Sequence, residues 1–315
     1  MLKKLLLLVA LLFQASIFAQ SWEEFRISHE AGIGKTYGTL LKTENTDKIV
    51  FIIPGSGPTD RNGNSRIAGE NNSLKYLAEG LAEQGIASLR IDKRGVNQSD
   101  QTDEWMSKMS FEIFIMDAIN WIDYLSNEKK YSEIIVLGHS QGSLISFIAA
   151  KASKNVKGVI SIAGAGSPAD EIILQQLKIK APDLVKEAAE IFKHMKNGER
   201  IQETNPMLGT IFNPKTNDFL ASWIILNPID EINAVQKPIL IIQGTEDLQV
   251  NLQEAHKLIQ NARASSKAEL RIIDKMNHVL KEVNNHEENM KSYSDPSLPI
   301  SKQLMDILKE WIVTI

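Results

Sequence analysis

Residues 134–145 read Ile134-Ile135-Val136-Leu137-Gly138-His139-Ser140-Gln141-Gly142-Ser143-Leu144-Ile145. Four aliphatic residues without a polar break mark a strand buried on both faces. The stretch from Gly142 onward has the composition of a helix packed on a sheet. Only His139, Ser140 and Gln141, with a glycine on either side, turn one into the other. So tight a junction puts the serine in a strained turn, and the glycines let strand and helix approach without clashing Cβ atoms. The Oγ is thereby lifted out of the sheet, next to a helix N-terminus whose field favours negative charge. The stretch predicts an α/β architecture in which Ser140 is a candidate nucleophile.

Working outward, β-type runs occur at residues 25–28, 37–42, 48–54, 86–91, 133–137, 156–162, 238–243 and 269–273. From the third run on they alternate with helical periodicity at 73–83, 111–126, 142–152, 252–261 and 302–313. Such alternation predicts a mostly parallel central sheet flanked by helices, with the first two runs as an antiparallel lead-in. The rhythm breaks after Gly164 and resumes near Pro238. In between, residues 169–197 are helical and rich in charge, and 205–228 are richer in Asn and Pro. This interval is expected to be a helical lid over the carboxyl edge of the sheet. The organisation expected is a signal peptide at 1–19, a first part of the core at 20–164, a helical lid insertion at 165–236 and a second part of the core at 237–315.

Composition narrows the function classes. Of 315 residues, 43% are hydrophobic and 23% charged, enough to bury a core without covalent staples. There is no cysteine, so no disulfide, no tetracysteine metal site and no lipid-accepting thiol. A formal net charge of −4 without a basic cluster argues against nucleic acid as a partner. At the start, Lys3 and Lys4 precede an apolar run at 5–13 and a small residue, Ala19. That run is too short to span a bilayer and no second candidate follows. Export to the periplasm or medium is expected, with cleavage after Ala19 and no stable membrane insertion afterwards; a retained anchor is the alternative.

A serine hydroxyl needs a base, and the base an orienting acid. In the chain order this architecture uses, both follow the serine. Asp247 ends Gly244-Thr245-Glu246-Asp247, directly after the apolar run 238–243, at the edge where open sheets place their ligands. Its neighbour Glu246 is the competing acid, and a plain Asx turn is the bland reading of Asp247. Of six histidines, two follow the last strand: His278, in a short loop, and His286, in a polar run that reads as solvent-facing. His278 is the favoured base. After the run 48–54, Gly55-Ser56-Gly57-Pro58 frees backbone N–H groups to face a developing oxyanion, and the donors are assigned to the amides of Ser56 and Gln141. That loop lacks the Lys-Ser/Thr ending of a phosphate-cradling P-loop.

Taken in order, Gly55-Ser56-Gly57-Pro58, Asp60-Arg61, Gly63-Asn64, Asp92-Lys93-Arg94-Gly95, Gly138-His139-Ser140-Gln141-Gly142, Gly244-Thr245-Glu246-Asp247 and Asn277-His278 resemble a bacterial carboxylesterase branch of the α/β-hydrolase superfamily, near the serine-aminopeptidase-like (S33-type) hydrolases. The resemblance runs from about Gly38 to the end. It implies the α/β-hydrolase fold and a triad of Ser140, Asp247 and His278, with Ser56 and Gln141 at the oxyanion. It also implies loop bracing by ion pairs at Asp60, Arg61, Asp92 and Arg94. The chain departs from it at Pro54, where relatives often carry histidine. The expected reaction is acyl transfer on a small-molecule ester, with no metal or organic cofactor. Two alternatives stand beside it: a peptidase or amidase, with Glu187, Glu190 or Glu199 to hold a substrate amine, and a non-catalytic binding protein on the same scaffold.

Overall fold

The β-forming runs pair into one eight-stranded sheet in a computed structural model that describes residues 22–30, 34–44, 46–99, 105–106, 108–129, 131–201 and 204–315. The signal peptide expected at 1–19 lies outside the described residues. The strands are β1 (Trp22–Glu30), β2 (Lys35–Thr43), β3 (Lys48–Ile53), β4 (Ala87–Ile91), β5 (Glu133–His139), β6 (Val156–Ile162), β7 (Ile239–Gly244) and β8 (Ala268–Ile273). Their order is β1-β2-β4-β3-β5-β6-β7-β8. β1 and β2 pair antiparallel, as does β2 with β4, and every pairing from β4 to β8 is parallel. The architecture is the one the alternation predicts, lead-in included.

The apolar strands are continuous because helices cover both faces. Ile49, Phe51, Ile53, Ile134, Val136, Ile239 and Ile241 point to one face and pack with α2 (Phe111–Asn127), α3 (Gln141–Ala152) and α8 (Leu252–Asn261). Their neighbours Val50, Ile52, Ile135, Leu137, Leu240 and Ile242 point to the other, against α1 (Ser73–Glu83) and α10 (Lys302–Thr314). A period of two with both phases apolar is what a sheet buried on two sides requires. Each such side chain contributes about 1.5–3 kcal/mol by leaving water.

Between β6 and β7 the described chain forms helices alone: α4 (Ala169–Lys180), α5 (Val185–Lys196), α6 (Asn217–Ile224) and α7 (Pro228–Asn233), with 3-10 turns at Pro182–Leu184, Pro206–Leu208 and Pro214–Thr216. Pro182, Pro206, Pro214 and Pro228 each start their turn or helix, where a missing N–H leaves no bond unmade. Phe192, Met195, Leu208, Phe212, Leu220 and Ile224 give the segment a small core of its own. α7 belongs elsewhere: Ile232 and the following Val235 pack into the main core.

The order of the strands fixes where a ligand can sit. The chain leaves β3 to one side for β4, then crosses back to place β5 on the other side of β3. Open parallel sheets form a crevice outside the carboxyl ends of two such strands. Here those ends are Ile53, leading into Gly55-Ser56, and His139, leading into Ser140.

Candidate active site

Ser140 adopts φ 53° and ψ −119°, a left-handed conformation that a non-glycine residue rarely takes. Its amide is bonded to Ile162 O of the neighbouring β6 at 2.9 Å, which holds the turn against the sheet. A Cβ on Gly138 would collide with the backbone of Gly142, and one on Gly142 with the carbonyls of Ile53 and Pro54. These two glycines let α3 start directly over β5 and β3. The Gly55 loop presses in from the other side: a Cβ there would lie 3.2 Å from Ser140 Cβ.

Asp247 and His278 meet. His278 Nδ1 donates to Asp247 Oδ2 at 2.8 Å, with both side chains almost wholly buried. Asp247 Oδ2 also accepts from Gln243 Nε2 at 3.0 Å, and its Oδ1 accepts the amides of Gln249 and Val250 at 2.8 and 2.9 Å. Burial alone would raise this carboxyl's pKa. The charge and hydrogen bond of His278, with the two amides, more than offset that and hold it below the usual carboxylate range. With Nδ1–H committed to Asp247, Nε2 of His278 carries the lone pair of a base. The Asx turn and the contact to histidine are thus properties of the same side chain. Glu246 instead bonds Met276 O through its amide at 3.0 Å.

The histidine loop is held by buried amides. Asn277 Oδ1 accepts the amides of Val279 and Lys281, and its Nδ2 donates to Asn289 Oδ1 and Ser292 Oγ. Asn289 in turn donates to Glu246 O at 2.6 Å. Both acceptors of the Asn277 Nδ2 lie on α9 (His286–Ser292), just past the polar run 284–288 that reads as solvent-facing. His286 is exposed as expected, but Asn289 and Ser292 are fully buried and tie the acid loop to the histidine loop.

Two residues that pattern reasoning left without a role lie at the serine. His139 packs its ring 4.9 Å from the ring of His278 and donates Nε2–H to His278 O at 2.8 Å. Burial, reinforced by His278, pushes its pKa down to about 3, so it is neutral and its tautomer is fixed. Lys93, just beyond β4, donates its ammonium to Gly55 O and lies 3.5 Å from Gln141 Oε1. Burial pushes its pKa down to about 7. The flanking motif residues are paired: Arg61 with Asp92 at 2.6 Å, and Arg94 with Asp117 at 2.7 Å. Asp60 takes no arginine; its Oδ1 accepts the amides of Asn62 and Asn64 and shapes the turn.

A cavity of about 630 Å³ opens on Ser140, Gln141 and Ser56. Its walls are apolar, from Phe114 on α2, Leu144 on α3, Ile172 on α4, and Phe219 and Trp223 on α6. Phe192 does not line it; that ring packs against Phe212 within the segment's own core. Glu187, Glu190 and Glu199 do not line it either, and face Asn205, Lys193 and His194 respectively.

A model of the serine aminopeptidase family S33 matches residues 65–223, half of the chain, including the Ser140 turn and ending before Asp247. The chain belongs to this family. It is also 27% identical over 266 residues to the esterase EstD of Thermotoga maritima, an alignment that covers 83% of this chain and 61% of that protein. The chain therefore spans less than two thirds of that relative's length. An esterase of Pyrococcus furiosus superposes with a TM-score of 0.61 at 16% identity, over 94% of this chain and 92% of that one. Dienelactone hydrolase of Anabaena variabilis gives 0.56 at 18% identity, over 93% and 98%. Likeness at such identity shows the fold they share, that of the α/β hydrolases. Among the described residues of this α/β hydrolase, no helix is long and apolar enough to cross a membrane.

Proposed function

We propose that the chain hydrolyses small carboxylic esters through an acyl-enzyme on Ser140. His278 Nε2 takes the hydroxyl proton as Oγ attacks the carbonyl, while Asp247 holds the imidazole. The amides of Ser56 and Gln141 stabilise the oxyanion; Gln141 is the first residue of α3, so its N–H has no acceptor within the helix. His278 then protonates the departing alkoxide. In the second half it deprotonates water, which attacks the acyl-enzyme and releases the acid.

The observation that carries the choice of ester is the lining of the cavity. Among its described residues there is no carboxylate, while Lys93 and Arg94 are present. A peptide with a free amino terminus would bring an ammonium to this wall without a counter-charge. An apolar acyl group fits it, and the relative in Thermotoga maritima is named an esterase.

Residues 165–236 supply much of that wall, and we read them as a lid that sets acyl preference. p-Nitrophenyl esters of rising chain length, run beside aminoacyl p-nitroanilides, test both statements. The esters should turn over and the anilides should not; the opposite result would move the protein to amide chemistry. In the same series, Trp223→Ala should change the octanoate-to-acetate ratio of kcat/KM roughly 10-fold or more. Phe192→Ala should cost about 3–5 kcal/mol of stability and leave the ratio alone. An equal ratio in both variants would make the segment scaffold only.

Export is proposed on the basic, apolar and small-residue succession at 1–19. Intact-mass analysis of protein from the medium or periplasm should find Gln20 as the first residue. Recovery of the uncleaved chain in membranes would reverse this.

A further inference from the structure

We propose that Lys93 is a positioning residue for the oxyanion hole: by holding the Gly55 carbonyl, its ammonium aims the Ser56 N–H of the same peptide unit at the carbonyl under attack. This rests on the reading of Ser56 as an oxyanion donor.

Covalent geometry supplies the first step. A trans peptide is planar, with C=O and N–H pointing in opposite directions. Whatever anchors Gly55 O therefore fixes the direction of the Ser56 N–H. The hydrogen bond from Lys93 Nζ to Gly55 O is such an anchor, and it lies in a loop of glycine and proline that could otherwise rotate. A cation on the oxygen also polarises the amide and strengthens its N–H as a donor. Ser56 lines the cavity beside Ser140.

The electrostatic setting is the second step. Lys93 stands between Asp92 and Arg94, each of which has an opposite charge as partner. Lys93 has none among the described residues and is 6% exposed. A buried ammonium without a carboxylate is costly, and a methionine would fill the same space without that penalty. Burial has lowered its pKa to about 7, the mark of that penalty. Its remaining contacts are Gln141 Oε1, on the residue that carries the second proposed donor, and the face of Phe114 at 5.8 Å. Of the charged residues 92–94, the one without an ion-pair partner among the described residues thus touches both the loop and the residue that present the donors.

The structural alternative is that Lys93 only glues the Gly55 loop to β4. Kinetics separates the two. Lys93→Met keeps the length of the stem and removes the ammonium. With p-nitrophenyl butyrate, kcat and kcat/KM should both fall about 10²-fold, with KM little changed, as for loss of a group acting only in the transition state. Affinity for an alkyl trifluoromethyl ketone of the same length, which forms an oxyanion on Ser140, should fall by the same factor. Lys93→Gln, whose carboxamide can still donate to Gly55 O, should recover part of both, and it stands in if the methionine variant does not fold. Full kcat and full ketone affinity in Lys93→Met would overturn the proposal. So would a rise in KM that accounts for the whole loss, or Lys93→Gln no better than Lys93→Met. A wild-type protein inert to esters, or one not labelled at Ser140, would instead sink the serine-esterase reading beneath it.

Discussion

Ser140→Ala is expected to abolish ester turnover and labelling by a fluorophosphonate together, and His278→Ala to reach the same floor, on the order of 10⁶ below the wild type. The two losses should match because, on the proposed mechanism, the groups act as one unit. A serine hydroxyl without a base is no nucleophile, and a base without the hydroxyl has no proton to take. The floor should still lie about 10³- to 10⁴-fold above the uncatalysed rate, through the oxyanion amides and binding. Stability should separate the variants. Losing Oγ leaves the Ser140 amide on Ile162 O, so the turn is kept. Losing the imidazole takes one partner from a buried Asp247, which retains Gln243 and two backbone amides. Ser140→Ala should therefore melt close to the wild type and His278→Ala below it. His286→Ala, at an exposed helix start, is the control and should keep full rate. Inactivity in that control with activity in His278→Ala would move the base, and labelling that survives in Ser140→Ala would move the nucleophile.

The strands were legible because burial on both faces leaves a chemical mark. A run such as Ile49-Val50-Phe51-Ile52-Ile53 admits no solvated side, so its place in the middle of a parallel sheet follows from composition. The turn at Ser140 was legible because tight backbone approach requires glycine at fixed offsets, as Gly138 and Gly142 show. That the loops of Asp247 and His278 meet follows from both leaving the same edge of neighbouring strands. Lys93 was another matter. Its contact with Gly55 spans 38 positions, and no periodicity reports how deep a lysine next to a strand end will sit. A motif of alternating charges reads as ion pairing, which is true of its neighbours and false of Lys93. The roles of Asn289 and Ser292, just past the exposed polar run 284–288, were hidden for a related reason. Asparagine outside a core is usually solvated, and only the folded chain shows that these amides bridge the acid loop and the histidine loop. Within the segment between β6 and β7, helical periodicity marks Phe192 and Trp223 alike as apolar-face residues. Which of them meets the segment's own core and which the cavity depends on how the helices are laid over the sheet.

Asp247→Asn should leave the fold in place and lower kcat by about 10³- to 10⁴-fold. The hydrogen bonds around the carboxylate dictate the direction of the effect. Oδ1 accepts two backbone amides, and Oδ2 faces His278 Nδ1 and Gln243 Nε2. A carboxamide has one oxygen to offer. The amides of Gln249 and Val250 are fixed donors and claim it, which turns the new NH2 towards His278. The imidazole then has to accept at Nδ1 and carry its proton on Nε2, the nitrogen that must take the proton of Ser140. The wrong tautomer is therefore built in by the loop. Loss of a carboxylate that the fold holds ionised also removes the charge that would stabilise the imidazolium as it forms. The ring should remain in place, so KM should change little while kcat falls. Nitrogen-15 shifts of the His278 ring would read the tautomer directly, with Nδ1 protonated in the wild type and Nε2 in the variant. Glu246→Gln, one position earlier and tied to Met276 only through its backbone, should retain most of the wild-type rate. A large loss in Glu246→Gln beside near-normal turnover in Asp247→Asn would shift the acid by one residue, and an unchanged Nδ1–H in a slow Asp247→Asn would remove the tautomer as the cause.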